Sequence, residues 1–118
     1  MKNIRNLLAK GIVVGAAVAT LTGMGTSYVW ADDANKAMYE DKCAGCHGPG
    51  GKGDGPAGAM LDPKPKDFAT VLKGQDDAAI KKIIKEGGTA VGKSASMPPS
   101  SDLSDDQVKS LVDYIKHL

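Results

Sequence analysis

Two cysteines three apart, with a histidine directly after the second, stand in the run Cys43-Ala44-Gly45-Cys46-His47. On a helical backbone, residues three apart share a face, so the two sulfurs point the same way and His47 follows beside them. Several chemistries use two close cysteines. A thioredoxin-like redox pair expects a preceding strand and a βαβ context, but here a helix-like segment precedes and a Gly/Pro-rich stretch follows. A structural zinc site needs four ligands. The chain has no other cysteine and only one other histidine, His117. A plain disulfide leaves the adjacent His47 unexplained. The pattern reads instead as c-type haem attachment, in which each sulfur adds to one vinyl group and the histidine reaches under the ring to the iron.

An iron held on one side by His47 needs a donor on the other. The candidates are Met38, Met60, Met97 and His117. Met38 lies in the segment before the cysteines and belongs to the core. Met60 follows His47 by only 13 residues, in a stretch that must first leave the proximal face. Met97 comes 50 residues on. Pro98 restricts it to extended backbone, and Pro99 stiffens the loop further. A weak thioether donor benefits from such rigidity, so Met97 is the expected sixth ligand. His117 reads as a solvated side chain at a helix C-terminus, where positive charge is tolerated.

Three helices must position these groups. The first is expected from about Ala34 to Cys46, capped by Asp32 or Asp33, with Ala37, Met38 and Cys43 on its apolar side. The second is expected from about Asp77 to Glu86. Ala79, Ile80, Ile83 and Ile84 repeat at helical spacing, Lys81, Lys82 and Lys85 face outward, and Gly87-Gly88 stops it. The third opens on a capping box of Ser104 and Gln107, with Leu103 and Val108 as a hydrophobic staple. It buries Val108, Leu111, Val112 and Ile115 and runs to the C-terminus. Two long loops lie between. Residues 48–65 hold six glycines and four prolines, and residues 88–102 centre on Met97-Pro98-Pro99. Unstructured loops of this length belong to a compact domain only if something holds them, and a flat cofactor would. No strands or repeats are expected.

Composition supports the same picture. Lys2, Arg5 and Lys10 precede an apolar run, Ile12 to Leu21, and the first acids, Asp32 and Asp33, follow Val29-Trp30-Ala31 directly. That order predicts a signal peptide over residues 1–31, cleaved after Ala31, and hence export to the periplasm. The alternative is an uncleaved anchor, since Gly11 to Ala31 is uncharged for 21 residues. The expected mature domain, residues 32–118, carries 12 Lys against 14 acidic residues, whereas the whole chain stands at +1. No basic patch interleaved with aromatics points to nucleic acid. A domain this small, with one Phe and two Tyr, is marginal on its own core, which leaves room for a bulky apolar group at its centre.

On Cys43-Ala44-Gly45-Cys46-His47-Gly48, Gly55-Pro56, Met97-Pro98 and a C-terminal helix with Leu111 and Tyr114, the chain resembles the class I monohaem cytochromes c of bacteria. The resemblance covers essentially the whole of residues 32–118. It implies an all-α cytochrome c fold of three main helices and long loops wrapped around one covalently bound haem c. It further implies His47 and Met97 as axial ligands, and a Pro56 carbonyl that accepts a hydrogen bond from the other ring nitrogen of His47. Tyr39 and Tyr114 match the aromatic positions where the terminal helices cross. The usual glycine four residues before the first of these is Asn35 here, and the mature domain has no Trp or Arg for a haem propionate.

The expected function is one-electron transfer by a periplasmic carrier, not an enzyme. It would be a monomer with no membrane span in its mature form, docking redox protein partners transiently at the haem edge. A membrane-anchored cytochrome, or a haem subunit of a larger redox complex, shares the chemistry and differs in the tether. A haem enzyme or gas-binding protein would need an open sixth position.

Overall fold

The computed structural model describes residues 27–118; the predicted export segment, residues 1–31, falls almost wholly outside them. Within the described residues the chain forms α1 (Ser27–Lys42), α2 (Ala44–His47), a 3-10 turn (Gly58–Met60), α3 (Phe68–Val71), α4 (Asp77–Ala90) and α5 (Asp105–Ile115), with no strand. The expected all-α architecture is what is found.

Each main helix starts or stops for a local reason. Ser104 caps α5: its hydroxyl accepts from the Gln107 amide, and the Gln107 side chain accepts from the Ser104 amide. That capping box is the one expected from sequence, and the staple residues Leu103 and Val108 are both buried beside it. Asp76 caps α4 by accepting from the Ala79 amide, with Asp77 adding negative charge in the first turn, where the helix dipole favours it. At Gly87 the backbone turns to φ 80°, ψ 173°, which an L side chain rarely adopts. The regular helix therefore ends after Glu86, as Gly87-Gly88 suggested, and one further turn follows.

Two expectations change. The first helix begins before Asp32 and Asp33, so neither caps it, and it breaks at Cys43 (φ −123°, ψ −41°) instead of running on to Cys46. The third helix stops at Ile115, short of the terminus.

The core lies where α1, α4 and α5 meet. Tyr39, Ile80, Ile84, Leu103, Val108, Leu111, Val112 and Ile115 are buried, and Met38, Phe68, Leu72 and Tyr114 pack against them. Ile80 and Ile84, one turn apart, form the α4 face; Val108, Leu111, Val112 and Ile115 form the α5 stripe. Tyr39 is wholly buried from α1, its ring 5.5 Å from that of Tyr114, so the two tyrosines do meet at the helix crossing. Lys85, expected to be solvated, instead donates to the Leu103 carbonyl at 2.7 Å and pairs with Asp105 at 3.1 Å. It ties α4 to the start of α5. Lys42–Asp102 joins the end of α1 to the segment before α5, and Lys116–Asp77 joins the end of α5 to the start of α4.

Candidate haem site

The attachment run grows directly out of α1. Cys43 still donates its amide to Tyr39, at 2.8 Å, and its carbonyl then accepts from both Cys46 (3.1 Å) and His47 (2.9 Å). This one tight turn, α2, follows the break at Cys43 and carries Cys46, with His47 next in line. Both cysteines are free and half-buried. Burial pushes the Cys43 thiol up to about 11, so its sulfur is a protonated, apolar-facing group and not a reactive thiolate.

His47 follows into a sheltered position. Its ring lies against Phe68, centroids 4.7 Å apart and planes inclined by 31°. Phe68 in turn meets Tyr39 edge-on at 6.4 Å. Phe68 is carried by α3, a single turn capped by the Asp67 carboxylate, and is held to the glycine loop by its own amide, which donates to the Gly51 carbonyl at 2.8 Å. Burial lowers the His47 pKa, which keeps the imidazole neutral near pH 7, as a metal ligand must be. Its Nδ1 is buried with no hydrogen-bond partner.

The loop after His47 closes beneath the attachment turn, backbone on backbone. Gly53 donates to the His47 carbonyl (2.8 Å), Ala57 to the Gly45 carbonyl (2.9 Å), and the Tyr39 hydroxyl to the Gly48 carbonyl (2.6 Å). Gly58 sits so close to Cys46 that a Cβ would overlap the Cys46 carbonyl. Pro56 is therefore held between two residues, Gly55 and Ala57, that press on the Ala44–Cys46 backbone. No hydrogen bond joins its carbonyl to His47 in this structure.

Met97 has separate support. It is half-buried, its carbonyl accepts from Gly88 at 3.0 Å, and its amide donates to Ser94 at 3.3 Å. The rival donors are placed otherwise. Met60 is 88% exposed, Met38 packs against the core, and His117 is exposed at the end of α5, its Nδ1 2.6 Å from the Asp113 carbonyl. The structure thus gathers Cys43, Cys46, His47 and Pro56 into one backbone cluster and puts Met97 on a second loop braced by α4.

The donor set fits a haem. Among the described residues no three His, Cys, Asp or Glu side chains converge as metal ligands would, but an iron already held by four ring nitrogens asks the protein only for axial donors. A half-buried imidazole with an orphaned buried nitrogen, two neighbouring half-buried thiols and a half-buried thioether are such a set. Sequence reasoning missed Phe68, the wall behind His47, and the bracing role of Gly87 and Gly88. Phe68 carried one signal: it is the only phenylalanine of the chain.

The family model described as cytochrome c matches residues 31–118. No curated protein and no solved structure matches the chain.

Proposed function

The chain belongs to the cytochrome c family, and from that premise we propose that it is a periplasmic one-electron carrier whose haem c is tethered by Cys43 and Cys46 and ligated by His47 and Met97. The family implies a covalently bound haem c and haem-based electron transfer; when bound, that group supplies an iron centre that changes oxidation state by one electron.

The chain's own residues prepare for this in distinct ways. Cys43 and Cys46 stand at either end of one short turn, and Tyr39 holds that turn against the core, its carbonyl accepting from the Cys43 amide and its hydroxyl donating to the Gly48 carbonyl. Phe68 limits rotation of the His47 ring. A hydrogen bond from Nδ1 to the Pro56 carbonyl would complete its orientation and raise its basicity. Met97 offers a soft donor, which favours ferrous iron and raises the potential relative to two histidines. Held by both His47 and Met97, the haem would have no position left for oxygen or peroxide, which separates a carrier from an enzyme. The observation that carries the reading is His47: half-buried, its buried ring nitrogen Nδ1 unpartnered and its pKa lowered by burial, directly after the second of two cysteines three apart.

A redox-titrated visible spectrum of the purified protein tests it. The expected result is a low-spin, six-coordinate haem c with a weak sulfur–iron absorption at the red end of the ferric spectrum. Met97→Ala should abolish that absorption and lower the potential; Met60→Ala should do neither. Prompt binding of carbon monoxide to the native ferrous protein at neutral pH would overturn the carrier reading in favour of an open-site haem protein. N-terminal sequencing decides the tether: a start at Asp32 supports a free periplasmic form, and a retained leader an anchored one. Among the described residues no helix is long and apolar enough to cross a membrane.

A further inference from the structure

The two hydrogen-bonding groups released by the break in α4 are both taken up by the Met97 loop. In an unbroken helix the Gly88 amide would bond the Ile84 carbonyl four residues back. Here the Gly88 amide donates to the Met97 carbonyl at 3.0 Å, and the Ile84 carbonyl accepts from Ser100 at 2.8 Å. One helical pair has been exchanged for two bonds that clamp Met97 and Ser100, the ends of the segment Met97-Pro98-Pro99-Ser100. The prolines between them have no N–H to satisfy, so the clamp accounts for this segment well: of its two amides, Met97 serves Ser94 and Ser100 serves Ile84. A third bond, Lys93 amide to Gly88 carbonyl at 2.8 Å, draws the start of the loop to the same point.

Both glycines are sterically required. A Cβ on Gly87 would lie 2.9 Å from the Met97 carbonyl oxygen and 3.0 Å from the Pro99 nitrogen, and the residue's φ is +80°. A Cβ on Gly88 would overlap the Ser94 carbonyl and lie 3.3 Å from the Met97 Cβ, the root of the side chain itself.

We propose that Gly87 and Gly88 are positioning residues for the sixth ligand: the helix break they permit clamps the Met97–Ser100 segment and holds the thioether closed on the iron. This rests on the reading of Met97 as a ligand. A thioether binds iron weakly, so its occupancy depends on how much of the time the loop is closed. Loosening the clamp raises the fraction of time the loop is open, and the apparent affinity of a competing donor rises in proportion to that open fraction.

The test compares holoprotein of the wild type, Gly88→Ala, Gly92→Ala and Met97→Ala, by the ferric sulfur–iron absorption and by titration with imidazole, which occupies the sixth position when methionine leaves. Gly92 lies in the same loop at φ +70° with open space around a built Cβ, so Gly92→Ala strains the loop backbone with no collision, whereas Gly88, which has no positive φ, brings the collision alone. Gly88→Ala is expected to weaken or lose the absorption and to bind imidazole roughly tenfold or more tightly than the wild type, with Gly92→Ala within about threefold. If Met97→Ala keeps the absorption, the ligand assignment itself is wrong. If Met97→Ala loses it while Gly88→Ala behaves like Gly92→Ala, ligation stands and the positioning role is overturned. Should Gly88→Ala give no holoprotein, amide exchange in the wild type decides. The Gly88 and Ser100 protons should be protected and should lose protection together as imidazole displaces Met97; unchanged protection overturns the proposal.

Discussion

The helical corner and the two long loops of the candidate site are held together by different forces. At the corner, α1, α4 and α5 meet through side chains: Tyr39, Ile80, Ile84, Val108, Leu111, Val112 and Ile115 exclude water from one another, and the stabilisation scales with the apolar area removed from solvent. The loops at residues 48–66 and 91–103 bury little side chain apart from Leu103. They are fastened by backbone bonds, Ala57 to Gly45, Gly53 to His47, Gly88 to Met97 and Ser100 to Ile84, at points where glycine lets main chain touch main chain. A side-chain core tolerates substitutions of similar volume. A backbone seam has no volume to trade, so one added methyl group displaces the chain. Stability and ligand geometry should therefore respond to different mutations.

The largest effect should come from removing what both regions enclose. A chain with Cys43→Ala and Cys46→Ala cannot tether the cofactor, and a domain of this size cannot offset its chain entropy with eight buried residues alone. Its helical circular dichroism should fall far below the holoprotein's. Near-holo helicity would show that the corner folds unaided, and would break the comparison at its root.

Within the corner, Leu111→Ala should lower the unfolding free energy by about 3 kcal/mol, the usual cost of a buried leucine cavity, read by denaturant titration of the holoprotein. The sulfur–iron absorption should persist below the transition. Loss of that absorption under native conditions would mean that core packing, and not the loop clamp, sets ligation.

Tyr39 belongs to both regions, and its effect should be intermediate. Tyr39→Phe keeps the ring in the core but removes the hydroxyl bond to Gly48, at a cost of about 1 kcal/mol. Burial holds the Tyr39 pKa up at about 12 against an ordinary 10.0. The folded state therefore keeps the proton longer than the unfolded chain. The associated stability is intact below pH 10 and is lost as pH rises toward 12. Tyr39→Phe should flatten that alkaline decline; an unchanged slope would show that Tyr39 is not its source.

The smallest effect should be at the surface. The Lys42 ammonium, hydrogen-bonded to Asp102, holds that carboxyl below its ordinary value of 3.8. Its contribution is present above that value and is lost as pH falls through the lowered pKa. Asp102→Asn should cost a little stability at neutral pH, a difference that vanishes as pH falls through the lowered pKa and so flattens the acid limb, and molar salt should shrink it. A large change at neutral pH would give this exposed pair a structural weight that the corner was thought to carry.

Much of the fold was legible before any coordinates. The capping box at Ser104 and Gln107, the α5 stripe and the stop at Gly87-Gly88 are local signals, and local signals survive folding because they concern groups within one turn of each other. The start of α1 was misjudged because Asp32 and Asp33 look like caps, yet they lie within a helix that begins at Ser27. The break at Cys43 was missed because no residue type marks it. The solvated reading of Lys85 failed because its partner, the Leu103 carbonyl, is 18 residues away.

What the amino-acid order settled by itself is the chemistry: two thiols and an imidazole at fixed spacing can be recognised wherever they lie, since covalent sequence alone sets that spacing. It also settled which residues are apolar and at what period. Only the tertiary structure decided that Phe68 walls the His47 ring, that Pro56 sits against the attachment turn, and that the amide and carbonyl freed at Gly87-Gly88 go to Met97 and Ser100. These are pairings between groups 9 to 21 residues apart, and all but the Phe68 ring contact are made by backbone atoms that every residue carries, so no residue type announces them until the chain is folded.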